Sequence, residues 1–314
     1  MANEAVMLVG FPASGKGTVA QELINKGYLH LNRDKVGGRT LDLLGPLEDA
    51  LRNGKDAVLD NTNMQAEKRA HFIKVAKRVG VPIRCMWVST PVEDCSINAL
   101  MRMWDRYGKL FLQPSDFKEV PDDPNMFPIT VLFKMKKDFE KPSTAEGFSK
   151  VERVDFSRKW PKELTNKAVI VDYDQTVRDV QQGAPYKFPT KTSEIKVLPN
   201  RAWILKRFKN DGYLLLGASN QSGVSRGQVS KEAVDECFRH TNKLLGLQIQ
   251  VVWCPHSVPP SCYCRKPQSG LGVQLIRQYK LDPTKTIYVG DQTTDKTFAS
   301  RLGFTYHDAE EFFK

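Results

Sequence analysis

Long apolar runs are missing from this 314-residue chain. No stretch approaches the roughly 18 consecutive apolar residues of a membrane helix, which excludes a helical membrane span. A basic leader followed by a cleavable apolar stretch is missing too, because Met1-Ala-Asn-Glu4 leads straight into Ala5-Val-Met-Leu-Val9. The expectation is therefore an intracellular chain, cytoplasmic or nuclear. No internal repeat, heptad or low-complexity tract occurs, so the two halves are different folds joined once and not a duplication. Cysteine is scarce at six residues, and three of them crowd between Cys254 and Cys264 with a histidine among them, while Cys85, Cys95 and Cys237 stand alone in apolar periodic segments. That distribution argues against a disulfide framework and for a metal site in a reducing compartment.

What is abundant is positive charge. A net charge of +11 and a pI near 9.3 favour polyanionic partners, since a positive surface potential steers anions and Lys or Arg contacts to phosphates release counterions. The alternative is a basic protein with no polyanionic partner. Dividing the chain near residue 160 leaves about +4 before it and about +7 after it, so neither half is a basic tail. The length suits about two domains. At 40% hydrophobic residues and mean hydropathy −0.43 there is enough apolar surface for two cores.

The first half alternates short β-rich runs with longer amphipathic ones: strands at 6–9, 28–31, 57–59 and 83–88, with helices at 16–25, 40–52, 65–79 and 92–104. Such alternation predicts an α/β fold with a mostly parallel sheet. From Asp105 to Pro128 the pattern dissolves into Arg, Gly, Asp and four prolines, the composition of a mobile segment suited to covering a phosphate loop. Its aromatics, Trp104, Tyr107, Phe111 and Phe117, are expected to pack, the alternative being to stack on a base. A linker is expected at 156–166, making domains of 1–155 and 167–314. The second α/β series has strands at 168–171, 213–216, 248–253 and 286–289, with helices at 199–210, 230–245, 270–279 and 294–302.

Each half carries a phosphate motif directly after an apolar strand. In the first, Gly10-Phe-Pro-Ala-Ser14-Gly15-Lys16-Gly17-Thr18 is a P-loop: backbone N–H groups curl around a phosphate while Lys16 reaches the β- and γ-oxygens of ATP. The helix opening there adds its own positive end. Gly17 stands where a Ser or Thr hydroxyl usually meets Mg²⁺, so phosphates and water are expected to hold that ion, with Thr18 a weak ligand. Phosphoryl transfer to a hydroxyl also needs a base and cations on the spreading charge. Asn32-Arg33-Asp34 and Asp60-Asn61-Thr-Asn63 follow the next strands, at the carboxyl edge where open α/β sheets bind ligands. Asp34 is the candidate base, although an Asp after a strand is otherwise a helix cap. Arg33, Asn61 and Asn63 are candidate substrate contacts, and Arg102 and Arg106 form a candidate arginine clamp, or else cover a solvated helix face.

With Lys141-Pro-Ser-Thr-Ala-Glu-Gly-Phe148, these motifs closely resemble the kinase domain of polynucleotide kinase/phosphatases, the enzymes that heal broken nucleic-acid ends; the similarity spans residues 4–155. The resemblance implies ATP-dependent phosphorylation of a 5′-hydroxyl end, with Asp34 as base and Arg102, with Arg106, spanning donor and acceptor phosphates.

In the second half, Asp172-Tyr-Asp174-Gln-Thr176 offers a nucleophile and an acid/base on one side of a loop. A lone Asp-x-Asp can also be a turn or an ordinary metal site. Here it is accompanied by Ser219-Asn220, by Arg265-Lys266-Pro267, and by Asp291-Gln-Thr-Thr-Asp295. Together these resemble the motifs of the haloacid dehalogenase phosphatase superfamily, over residues 167–313. The resemblance makes Asp172 the nucleophile, Asp174 the acid/base, and Ser219 and Lys266 phosphate binders beside Asn220 and Arg265. It also makes Asp172 and Asp291, with Asp174, the Mg²⁺ site, and Asp295 a supporting acid. Gln175 replaces the usual glycine of that turn. Cys254, His256, Cys262 and Cys264 suit tetrahedral structural Zn²⁺, and their spacing resembles the zinc loop of heptose-bisphosphate and histidinol-phosphate phosphatases.

The leading expectation is thus a bifunctional end-healing enzyme, 5′-hydroxyl kinase and 3′-phosphatase. Two alternatives are a small-molecule kinase fused to a sugar-bisphosphate phosphatase, and a strand-end binding protein with one decayed site.

Overall fold

The computed structural model describes residues 3–119, 123–259 and 261–314. Residues 120–122 of the irregular stretch and Pro260 of the Cys/His loop lie outside the described residues, as do the first two residues. Among the described residues no helix is long and apolar enough to cross a membrane. The chain divides into two compact units, one of residues 1–99 with 120–158 and one of residues 100–119 with 159–314.

The first unit holds β1 (Ala5–Val9), α1 (Lys16–Ile24), β2 (Leu29–Leu31), α2 (Arg33–Val36), α3 (Leu44–Arg52), β3 (Ala57–Asp60), α4 (Ala66–Val79), β4 (Ile83–Val88), the start of α5 (Val92–Tyr107), α6 (Ile129–Lys137) and β5 (Val151–Val154). Its five strands are all parallel, in the order β2-β3-β1-β4-β5. β1 is buried throughout because both of its faces are covered: Met7 and Val9 face one cluster with α3 and α4, and Val6 and Leu8 face another with Ala20 and Leu23 of α1. Leu43, which caps α3, and Leu47 and Leu51 within it recur every fourth residue and are at most 2% exposed, so one stripe of the helix is sealed, at about 1.5–3 kcal/mol per leucine. Three elements of this unit escaped the periodicity reading, the first being α2, four residues with none buried. β5 is a short edge strand with only partial burial, and α6 has just two buried residues, too weak an apolar signal to register.

The second unit takes the last turns of α5 and then β6 (Asn166–Val171), β7 (Arg178–Val180), β8 (Ile195–Val197), α7 (Arg201–Asn210), β9 (Leu214–Asn220), α8 (Lys231–Leu245), β10 (Gln250–Cys254), α9 (Gly270–Tyr279), β11 (Leu281–Gly290), α10 (Thr293–Leu302), β12 (Thr305–Asp308) and α11 (Ala309–Phe312). Its parallel sheet runs β10-β9-β6-β11-β12, and β7 pairs with β8 in an antiparallel ribbon. Both halves are therefore parallel α/β folds. In each, the strand that precedes the phosphate motif is central, and the chain builds the sheet first on one side of it and then on the other (β3 and then β4 beside β1, β9 and then β11 beside β6), which opens a crevice at the strands' carboxyl ends.

Candidate active sites

In the first unit, β1 passes into a loop whose backbone takes left-handed angles at Ala13 (φ 58°) and Gly15 (φ 97°). Gly10 cannot be replaced cheaply, since a Cβ there would lie 2.9 Å from both the Ser14 hydroxyl and the Val88 carbonyl. Lys16 is buried, and its ammonium donates to the carbonyls of Gly10 (3.0 Å) and Phe11 (2.7 Å). The α1 N-terminus has no side-chain cap, so its N–H groups are left for an anion. The Ser14 hydroxyl is buried with no hydrogen-bond partner among the described residues, as suits a group that contacts a bound phosphate. Gly17 and Thr18 are exposed.

Residues distant in sequence hold this loop. Thr90 donates to the Ser14 carbonyl (2.6 Å) and Asn98 of α5 donates to the Ala13 carbonyl (2.8 Å). Asn63 donates to the Leu8 carbonyl (2.8 Å) and itself sits at φ 49°. It is thus a brace between β1 and β3, in place of the substrate contact expected of it. The 60–64 loop is fixed by Arg69, fully buried on α4, which donates to the Asn63 and Met64 carbonyls and pairs doubly with Glu146 at 2.7 and 2.9 Å. The Lys141–Phe148 motif is therefore a structural clasp.

The two polar clusters of the sheet edge are joined, because Asn32 donates to the carbonyl (2.6 Å) and carboxylate (3.2 Å) of Asp60. His30 also meets the Asp60 carboxylate at 3.1 Å. Asn32 caps α2 by accepting from Asp34 N (2.8 Å) and Lys35 N (3.3 Å), so the capping role weighed for Asp34 belongs to Asn32. Asp34 is left half-exposed with its carboxylate paired to Arg33. The side-chain oxygen of Asn61 accepts from Arg33 N (3.2 Å), while its buried NH₂ has no hydrogen-bond partner among the described residues. Arg102 is half-buried and Arg106 exposed, both in the last turns of α5.

In the second unit, the ends of the adjacent strands β9, β6 and β11 bring Ser219, Asp172 and Asp291 together. Lys266, only 3% exposed, places its ammonium 3.1 Å from Asp172 and 2.7 Å from Asp295. Burial alone would pull the lysine down, but Asp172 and Asp295 outweigh it and raise it. Burial pushes the Asp172 carboxyl up to about 7, with Asp295 and Asp174 adding to the rise and Lys266 opposing it. Asp291 is raised for the same reasons, burial and then Asp295, and accepts from the Thr176 hydroxyl at 3.2 Å.

Oxygens of Asp172, Asp291 and Asp295 lie within 4.8 Å of one another. Crowded carboxylates that raise one another are relieved by a hard divalent cation, so these residues fit Mg²⁺. Two details differ from the expected ligand set. Asp174 lies outside this cluster because its carboxylate is held by Arg178 (2.8 Å) and Gln221 (2.7 Å). Asp295, expected as a supporting acid, is inside it and 1% exposed. Gly290 makes the room, as a Cβ there would fall 2.5 Å from the Asp295 carboxylate. Asn220 and Lys266 exchange hydrogen bonds, Asn220 Nδ2 to the Lys266 carbonyl (3.1 Å) and Lys266 N to Asn220 Oδ1 (3.0 Å). Asn220 thus positions the lysine. Arg265 turns away to the His256 carbonyl (2.7 Å).

Arg178, Gln221 and Tyr288 were not singled out by their spacing. Arg178 had a local signal, lying four residues beyond Asp174, whereas Gln221 and Tyr288, whose hydroxyl accepts from Lys266 Nζ at 2.8 Å, reach the site only through the sheet. Gln175 sits at φ 66°, a left-handed conformation that costs a side-chain-bearing residue energy that glycine avoids. Gln175→Gly should therefore stabilise the second unit by ~0.5–1 kcal/mol, read as a rise in its thermal midpoint; an unchanged or lower midpoint would contradict this.

The sulfurs of Cys254, Cys262 and Cys264 and Nδ1 of His256 also lie within 4.8 Å of one another. The Cys254 sulfur is 3.8 Å from Cys262 and 3.2 Å from Cys264, and Nδ1 is 3.3 Å from the sulfurs of Cys254 and Cys264. These spacings are far from a disulfide near 2.05 Å. They are close to the ligand–ligand edges of about 3.5–3.8 Å implied by tetrahedral Zn–S and Zn–N bonds, so the four groups fit one metal ion.

Residues 6–106 match the family described as AAA domain, and residues 167–313 match the family described as polynucleotide kinase 3 phosphatase. One relative is a probable D-glycero-D-manno-heptose-1,7-bisphosphate 7-phosphatase of Thermoplasma volcanium, 32% identical over 141 residues, 43% of this chain and 93% of the relative. Another is a bifunctional polynucleotide phosphatase/kinase of Schizosaccharomyces pombe, 30% identical over 154 residues, 49% of this chain and 34% of the relative. The chain thus aligns with about a third of that relative's length. Among solved structures, a chain of the Pnkp1/Rnl/Hen1 RNA repair complex is similar at 17% identity and a TM-score of 0.32, covering 98% of this chain and 95% of that one.

Proposed function

Since the chain belongs over residues 167–313 to the polynucleotide kinase 3 phosphatase family, behind a P-loop domain of AAA type over residues 6–106, we propose that it heals nucleic-acid ends. It phosphorylates 5′-hydroxyls from ATP and removes 3′-phosphates. The single observation that carries this reading is the fusion: one chain holds a P-loop with a buried lysine and, separately, a buried carboxylate against Lys266 in a domain of that family.

In the kinase reaction the P-loop N–H groups and Lys16 hold the β- and γ-phosphates. Asp34 accepts the proton of the attacking 5′-hydroxyl, Asn61 offers its unpaired NH₂ to the acceptor end, and Arg102 with Arg106 balances charge on the transferring group. In the phosphatase reaction an Asp172 oxygen attacks phosphorus and the bond to the 3′-oxygen breaks. Asp174 gives that oxygen its proton, then takes one from the water that hydrolyses the aspartyl-phosphate. Ser219 and Lys266 hold the phosphoryl oxygens. Mg²⁺ at Asp172 and Asp291 would neutralise phosphoryl charge, and the Cys/His cluster would hold a structural Zn²⁺, its four protein ligands leaving no open position.

A second reading has a specific observation behind it: the Thermoplasma volcanium relative is named for a sugar bisphosphate. Turnover of a 3′-phosphorylated oligonucleotide and of heptose bisphosphate by the same preparation separates the two. The oligonucleotide is expected to be the better substrate; equal or better turnover of the sugar would sink the nucleic-acid assignment for this domain.

A further inference from the structure

The Cys/His cluster draws on more of the chain than its own loop. His256 turns Nδ1 toward the sulfurs, which leaves Nε2 outside, 2.8 Å from the side-chain oxygen of Gln113. An amide oxygen only accepts, so this contact places the imidazole proton on Nε2 and frees the Nδ1 lone pair for a metal.

Gln113 is itself held in place. Asp116 accepts from the backbone N–H of Leu112 (2.9 Å) and of Gln113 (3.1 Å), fixing the turn. The Leu112 carbonyl accepts from the N–H of Tyr263 (2.7 Å), the residue between the ligands Cys262 and Cys264. A Cβ on Gly270 would lie 3.0 Å from the Leu112 side chain and 2.5 Å from the Tyr263 carbonyl, so the approach of these segments is close. Asp105 pairs with Arg277 of α9. Phe111, 4% exposed, packs against Tyr107 and Phe117. The segment expected to cover the P-loop is thus attached to α9 at Asp105 and, through Leu112 and Gln113, to the loop that carries the thiols.

We propose that Gln113 is the outer partner of His256 in this metal site, and that metal held by Cys254, His256, Cys262 and Cys264 secures residues 105–119 to the second unit. The proposal rests on the metal reading above. Gln113 is a positioning residue: it fixes the tautomer and ring of a ligand without touching the metal. Removing it frees His256 to rotate and to hold its proton on Nδ1, where the proton competes with the metal.

The test uses the full-length chain, stripped of metal and titrated with Zn²⁺ against a chromophoric chelator. Wild type is expected to take one Zn²⁺ through this cluster. Gln113→Leu is expected to bind it about 10–100-fold more weakly, while Gln113→Glu, which keeps an acceptor, stays close to wild type. Hydrogen exchange over residues 108–119 is expected to speed up when wild type is stripped, and in zinc-loaded Gln113→Leu. If wild type binds Zn²⁺ but Gln113→Leu binds it as tightly, with exchange in 108–119 unaffected by stripping, the proposal is overturned and the metal site stands. If wild type binds no Zn²⁺, the metal reading fails and the proposal with it.

Discussion

Asp172→Asn is expected to cut 3′-phosphatase turnover on the order of 10³-fold or more while leaving 5′-kinase turnover within about twofold. The amide keeps the shape of the carboxyl but is not a nucleophile, so the covalent step has no attacking oxygen. Lys266 keeps its contact with Asp295 at 2.7 Å, so the variant does not strand a buried cation, the usual reason such a change unfolds a site. It also removes one of the crowded carboxylates, which makes loss of stability a poor explanation for lost activity. End-labelled 3′-phosphate and 5′-hydroxyl oligonucleotides assayed on one preparation give both rates. Retained phosphatase turnover would remove Asp172 as the nucleophile.

Lys16→Ala should do the reverse, lowering kinase turnover on the order of 10²–10³-fold and sparing the phosphatase. The ammonium now rests on the Gly10 and Phe11 carbonyls, where it is stored against the loop that will hold the phosphates. Alanine leaves the loop braced by Thr90, Asn98 and Asn63, so the fold of the P-loop should survive the loss of the cation. The unchanged phosphatase rate of the same sample serves as the control for intact protein. Loss of both activities, or of neither, would break the assignment of one reaction to each site.

Most of the site was legible wherever its chemistry is local. The P-loop, the Asp-x-Asp pair and the Cys/His cluster each lie within a dozen residues, and in each case one strand end and one turn bring the groups together. The Gln175 anomaly was equally legible, because a turn's demand for positive φ is a property of the turn itself. Asp34 illustrates the limit. Its position after a strand suggested a cap or a base, and only the bonds of Asn32 to Asp34 N and Lys35 N showed which residue caps. Asp295 was read as a supporting acid since its place in the triad depends on meeting Asp172 and Lys266, which lie on other segments and which its local spacing does not encode. Gln221, Tyr288 and Arg69 were missed for the same reason. Each is an ordinary polar or aromatic residue until a partner on another segment makes it part of a site, 47 residues away for Gln221 and Asp174 and 77 for Arg69 and Glu146.

By itself the order of residues determined two parallel α/β folds and picked out three candidate sites, because hydrophobic period and short-range motif spacing act within one element and its turn. Tertiary structure alone decided which acids cluster, which residues brace the P-loop, and that Leu112 and Gln113 meet the thiol-bearing loop. Those outcomes follow from the order of strands in each sheet, which sets distant segments side by side and which the chain's local pattern leaves open.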